Sequence, residues 1–127
     1  MITLGPIAER ETVCAVFREN GLEAGDNAGC VAAKCGEEQI GFCLYTLDQA
    51  GMTVLFLSPQ DDLMLADGIL RSTLHVAAER GILDAFYTDA VAPLCEKLDF
   101  IEDRAEKRLA IGKLFQSCHG CDPGEKS

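Results

Sequence analysis

No stretch of the sequence approaches the ~18 uninterrupted apolar residues that a membrane span needs. Its start carries no basic, apolar segment of the secretory kind. Positive charge is scarce too: 11 Lys and Arg stand against 21 Asp and Glu, a formal net charge of −10. Binding to a phosphate backbone by counterion release needs clustered Lys and Arg, so nucleic acid is excluded as the main partner. An anionic membrane surface is disfavoured for the same reason. Repeats, low-complexity tracts and a second-domain boundary are all missing. What remains is 127 residues that are 48% hydrophobic and 25% charged, the size and composition of one globular domain with a substantial core. The expectation is a cytoplasmic protein whose field suits a neutral or cationic small molecule.

Seven cysteines is a high count and an odd one, unlike the even frameworks of short secreted domains. Cys14, Cys30, Cys35 and Cys43 lie inside apolar patterns, where a reduced thiol packs as a small hydrophobe.

Ile2–Leu4 reads as a short strand, and Pro6 suits the first position of a helix carrying Ile7, Val13, Cys14, Val16 and Phe17. Asn20-Gly21 ends that pattern. Cys30–Cys35 and Ile40–Leu47 flank Gly36–Gln39 as a hairpin. Met52–Ser58 is a nearly continuous apolar run, the pattern of a strand covered on both faces. Leu63–Arg80 is the longest helical pattern, with Ala66, Leu70, Thr73, Leu74 and Ala77 on one face and Gly81 as its cap. Ala85–Thr88 follows as a strand and Ala90–Leu98 as a short helix. Phe100–Glu102 and Leu109–Phe115 read as a closing hairpin. Residues 1–116 form the expected domain, and 117–127 a polar tail with cysteines.

The order is therefore β α β β β α β α β β. A strand, long helix and strand around Leu63–Arg80 make a crossover unit, which sets Met52–Ser58 parallel to Ala85–Thr88. The fold class expected is α/β: a mixed, mostly antiparallel twisted sheet with a central parallel pair and flanking helices.

Leu94-Cys95-Glu96-Lys97-Leu98-Asp99-Phe100 resembles the L-Y-E-K-L-G-F segment of the GNAT superfamily of acyl-CoA N-acyltransferases. Val54–Pro59 is similar to that family's strand ending in V-x-P, and the element order matches over roughly Ile2–Phe115. The resemblance implies acetyl-CoA or another acyl-CoA as cofactor and an amine as acceptor. It implies a thioester carbonyl held near Leu57 and Ser58, and a diphosphate held by backbone N–H groups of Leu63, Met64, Leu65, Ala66, Asp67 and Gly68. Cys95 takes the position of the family's Tyr, which implies proton donation to the departing thiolate. A helix start suits such an anion when small residues let the backbone approach. Here the loop departs from the family's Q/R-x-x-G-x-G/A pattern, with Asp62 first and Leu65 and Asp67 at the glycine positions. Asp61, Asp62 and Asp67 would satisfy the donors that a phosphate uses and would repel it. Met52–Leu57 contains no carboxylate to serve as a base.

Tyr45 and Tyr87 are candidate substrate-lining residues, each equally readable as packing with its hydroxyl at a rim. Cys118-His119-Gly120-Cys121 offers Cys118, His119 and Cys121 as soft metal ligands or a redox pair, short of the four ligands a structural zinc site takes. Three readings stand: an acyltransferase of modest activity, a non-catalytic ligand-binding or protein-interaction module on the same fold, and a thiol-based metal or redox protein. Oligomeric state is left open, a homodimer included.

Overall fold

The structure, a computed structural model, describes residues 1–116. Its strands form a seven-stranded sheet. The strands are β1 (Ile2–Pro6), β2 (Ala28–Cys35), β3 (Glu38–Asp48), β4 (Gly51–Ser58), β5 (Ala85–Tyr87), β6 (Ile101–Asp103) and β7 (Arg108–Leu109). They lie in the order β1-β2-β3-β4-β5-β7-β6. Every neighbouring pair is antiparallel except β4 and β5. That exception follows from the crossover helix α2 (Leu63–Glu79), which returns the chain to run in the same direction. The mixed sheet with one central parallel pair is the expected fold class.

Two apolar layers sandwich the sheet. On one side α2 lays Ala66, Ile69, Leu70, Thr73, Leu74 and Ala77 onto Val31, Cys43, Val54 and Leu57. The short helix α3 (Ala92–Lys97) adds Leu94 and Cys95 to the same core. On the other side α1 (Arg10–Glu19) buries Val13, Val16 and Phe17 against Cys30 and Leu44. A helix α4 (Lys113–Gln116) follows β7. No described helix is long and apolar enough to cross a membrane.

Four local expectations are corrected. Pro6 belongs to β1, not to a helix: the strand stays paired with β2 through Pro6 opposite Val31, and α1 begins only at Arg10. The closing hairpin is short, because β7 stops at Leu109 and the chain turns into α4 where a strand to Phe115 was expected. The helix expected over Ala90–Leu98 is confined to Ala92–Lys97, with Pro93 in its first turn where its missing N–H costs nothing. Cys30 and Cys43 are buried, but Cys14 is half-buried and Cys35 is exposed beside the Gly36 turn.

Candidate functional site

β4 and β5 run side by side for only three residue pairs: Met52–Ala85, Thr53–Phe86 and Val54–Tyr87. The last main-chain bond is from Thr88 N–H to Val54 O, at 3.1 Å. On the other flank of β4, Tyr45 faces Val54 and Leu44 faces Phe56, so Leu55 is an extra residue. That is a β-bulge, which bends the strand and re-aims its peptide groups. Beyond it, β4 no longer pairs with β5.

The carbonyls of Leu55 and Leu57 look into this splay. Thr88 Oγ1 donates to Leu55 O at 2.7 Å near the apex. Gln60 Nε2 donates to Leu57 O at 3.1 Å and to Ala90 O at 3.0 Å, tying the end of β4 to the chain beyond β5. In an extended strand a residue's N–H lies on the same edge as its C=O. The Leu57 N–H therefore faces the cleft as well. Leu57 buries its side chain completely, and Ser58 is half-buried before a cis peptide to Pro59.

The start of α2 follows β4 after a four-residue turn and lies beside β1, where Asp62, Met64, Leu65 and Gly68 border Ile2 and Leu4. Asp62 is its N-cap, accepting from Leu65 N–H at 3.1 Å. Asp67 lies a turn further in and pairs with Arg71 at 2.9 Å. Leu63 and Met64 are exposed, Leu65 and Gly68 are half-buried, and Ala66 is buried. One helix-start donor is thus consumed by the cap, and one of the three carboxylates is neutralised by its neighbour. Asp61 and Asp62 remain exposed.

Cys95 is fully buried in the core on the α2 side, where burial pushes its thiol up to about 12. Burial likewise holds the Cys43 thiol at about 12 and the Cys30 thiol at about 11. These three thiols stay protonated and inert at neutral pH. Tyr45 and Tyr87 come together in a sense: through Val54 they form one cross-strand row over β3, β4 and β5. Both are buried, at 6% and 5% exposure. The Tyr45 ring covers Gly29 so closely that a Cβ there would meet it at 2.4 Å, and burial raises its phenol pKa. They belong to the packed layer under α2.

Cys118, His119 and Cys121 lie outside the described residues. Among the described residues no cluster of His, Cys, Asp or Glu is arranged to hold a metal ion. Sequence reasoning missed Gln60 and Thr88. The amide directly after the V-x-P segment gives no local signal, since its role depends on Ala90, thirty positions away.

No family model matches the sequence, and neither does any curated protein. Solved structures do match. The AtaT toxin, in the structure of a mutant bound to the C-terminus of the antitoxin AtaR, superposes with a TM-score of 0.60 at 11% identity, over 96% of this chain and 99% of its own. A ribosomal-protein alanine N-acetyltransferase from Escherichia coli gives 0.56 at 11% identity, over 85% of this chain and 88% of that one. The ribosomal-protein-alanine N-acetyltransferase from Brucella melitensis biovar Abortus gives 0.54 at 12%, over 77% and 90%. The chain has the GNAT fold. Identity this low carries the architecture only. In this chain β4 carries a bulge and parts from β5, and two side chains are drawn across the opening.

Proposed function

We propose that the chain binds an acyl-CoA in the β4–β5 splay and supports acyl transfer to an amine by positioning alone. The observation that carries this reading is the segment Leu55–Ser58, a bulged strand whose β5-side peptide groups have no strand to pair with. Such an edge offers an extended amide chain the contacts of a missing strand. The Leu57 N–H would hold the thioester carbonyl, and free N–H groups at the start of α2 would face the diphosphate. Bound there, the cofactor supplies an activated acyl group. The protein contributes orientation, with Val54 and Leu57 as a wall of fully buried core side chains behind the strand.

Proton handling is not built into this wall. Residues 52–57 lack a carboxylate. The Cys95 thiol, held at about 12, keeps its proton more tightly than a departing thiolate with the ordinary value near ~8.5 would take it. The amine must therefore arrive neutral and water must carry the proton, which implies slow turnover. The same two facts favour a second reading, a non-catalytic ligand-binding module on this fold.

Acetyl-CoA at about one hundred times its Kd should stabilise the protein by about 2.7 kcal/mol. For a domain of this size that is a Tm rise of roughly 5–15 °C. An unmoved Tm with both CoA and acetyl-CoA would remove the binding reading and the transfer reading together. Binding without release of free CoA over a panel of amines would select the non-catalytic module.

A second test addresses charge. Asp62→Asn keeps an equally good N-cap and removes one exposed carboxylate. At ~5 Å in a water-like dielectric, loss of that repulsion is worth about 0.8 kcal/mol. CoA should then bind about fourfold more tightly in calorimetry, while the Tm of the free protein stays put. An unchanged Kd would place the phosphates elsewhere.

A further inference from the structure

The two edges of the sheet are treated differently. The far edge, β6, is three residues long and carries exposed Glu102 and Asp103, the charged, short form that discourages strand addition. The other edge, β1, is Ile-Thr-Leu-Gly-Pro without a charge. Around it lie four of the seven exposed large apolar side chains among the described residues: Met1, Ile2, Leu4 and Met64.

Open space flanks this edge on both faces. On the α2 face a groove of about 310 Å³ is lined by Ile2, Leu4, Met64, Leu65 and Gly68, with Asp62 at its end. On the opposite face a groove of about 430 Å³ runs along Thr3, Gly5 and Ala8 to Lys34 and Glu9. An added strand sends alternate side chains to the two faces, and each face here has room to receive them.

We propose that β1 is a self-association edge, on which a second copy of this chain adds its own β1 antiparallel across a two-fold axis. The backbone pattern is self-complementary. Ile7 N–H donates to Cys30 O at 2.8 Å, so Ile7 faces β2. Counting back by twos, Gly5 and Thr3 face β2 also, and Ile2, Leu4 and Pro6 turn their peptide groups outward. With Leu4 opposite the partner's Leu4, the two exchange N–H···O bonds, and Ile2 N–H meets the carbonyl of the partner's Pro6. Pro6 lacks a donor, so the pairing has four bonds rather than six.

Side chains agree with that register. Opposed residues in an antiparallel pair point to the same face. Leu4 lies on the α2 side, where its Cδ1 would sit 3.3 Å from a Cβ built at Gly68. Ile2, Leu4 and Pro6 of both copies therefore share the face that Met64 and Leu65 border. Covering the four exposed apolar side chains in each copy would remove roughly 1,100 Å² in all, above the ~1,000 Å² that a biological interface should clear. An uncharged strand also suits a second copy of a chain whose net charge is −10, because it brings no like charges into direct contact.

Sedimentation equilibrium of the full chain tests this. The wild type should sediment at twice the 13.7 kDa chain mass, and the dimer should tighten as salt rises to about 0.5 M, because screening relieves the repulsion. Leu4→Lys, and separately Ile2→Lys, should weaken the dimer about a hundredfold while circular dichroism shows an intact fold. Leu83→Lys, an exposed apolar site beyond the far end of α2, should leave the dimer unchanged. A monomeric wild type at high concentration and high salt overturns the proposal. So does a dimer that survives both β1 substitutions or is lost on changing Leu83.

Discussion

Replacing Gln60 by alanine should tighten CoA binding by roughly thirtyfold. In the free protein the Gln60 amide occupies Leu57 O and Ala90 O, at 3.1 and 3.0 Å. An extended ligand entering between β4 and β5 needs the first of these carbonyls and must pass the line joining the two. Displacing the amide costs two hydrogen bonds of about 1 kcal/mol each net, and roughly 2 kcal/mol corresponds to a thirtyfold change in Kd. The same substitution should destabilise the free protein by about 2 kcal/mol, because the bridge that the ligand must displace is the bridge that alanine removes. Calorimetric titration of wild type and variant with CoA reads the affinity, and denaturant unfolding of the free proteins reads the stability. Equal affinities would show that the bridge and the ligand do not compete.

Gln60 also marks where the sequence stops being informative. Hydrophobic alternation, glycine-bearing turns and one long helical pattern suffice for the order of elements along the chain, the hairpins and the parallel pair, because each follows from the pattern of consecutive segments. The long helix α2 is legible for the same reason, since Asp62, Leu65 and Arg80-Gly81 lie where a cap, a first turn and a helix end must fall. The splay is not legible. It depends on a one-residue slip between Leu44–Tyr45 and Val54–Phe56, and nothing in a run of apolar residues says which one will be extra. The bridge is still less visible, because it joins positions thirty apart.

Pro6 shows the opposite error, a local rule applied where tertiary pairing decides. A proline followed by helical spacing reads as a helix start. Yet the hydrogen bond from Ile7 to Cys30 O keeps the chain extended, and Pro6 faces outward, where its missing N–H interrupts no ladder. Cys95 is a third case. Its place in a family-like segment suggests chemistry, and only the folded chain shows it enclosed by the α2 layer with its proton held fast. Sequence position identifies the segment. Burial decides what its thiol can do.

Gly41→Val should lower stability by about 3 kcal/mol or more, and Gly41→Ala by about 1–2 kcal/mol. Gly41 sits on β3 beneath the turn that ends β4, and a Cβ there would come within 2.6 Å of Ile69 Cδ1, 2.9 Å of Ser58 O and 3.0 Å of Pro59 Cδ. Ile69 Cδ1 is the tip of a side chain and can rotate away at modest cost. The Ser58 carbonyl is main chain at the mouth of the cleft, so the turn itself must move. Denaturant titration should show the midpoint falling while the slope is unchanged, the signature of a less stable native state with the same buried surface. Because the displaced segment includes Ser58, next to the Leu57 N–H, the alanine variant should also bind CoA more weakly even though it remains folded. A wild-type midpoint for Gly41→Val would mean that β3 and the Pro59 turn are not in contact, and the cleft's floor would have to be drawn differently.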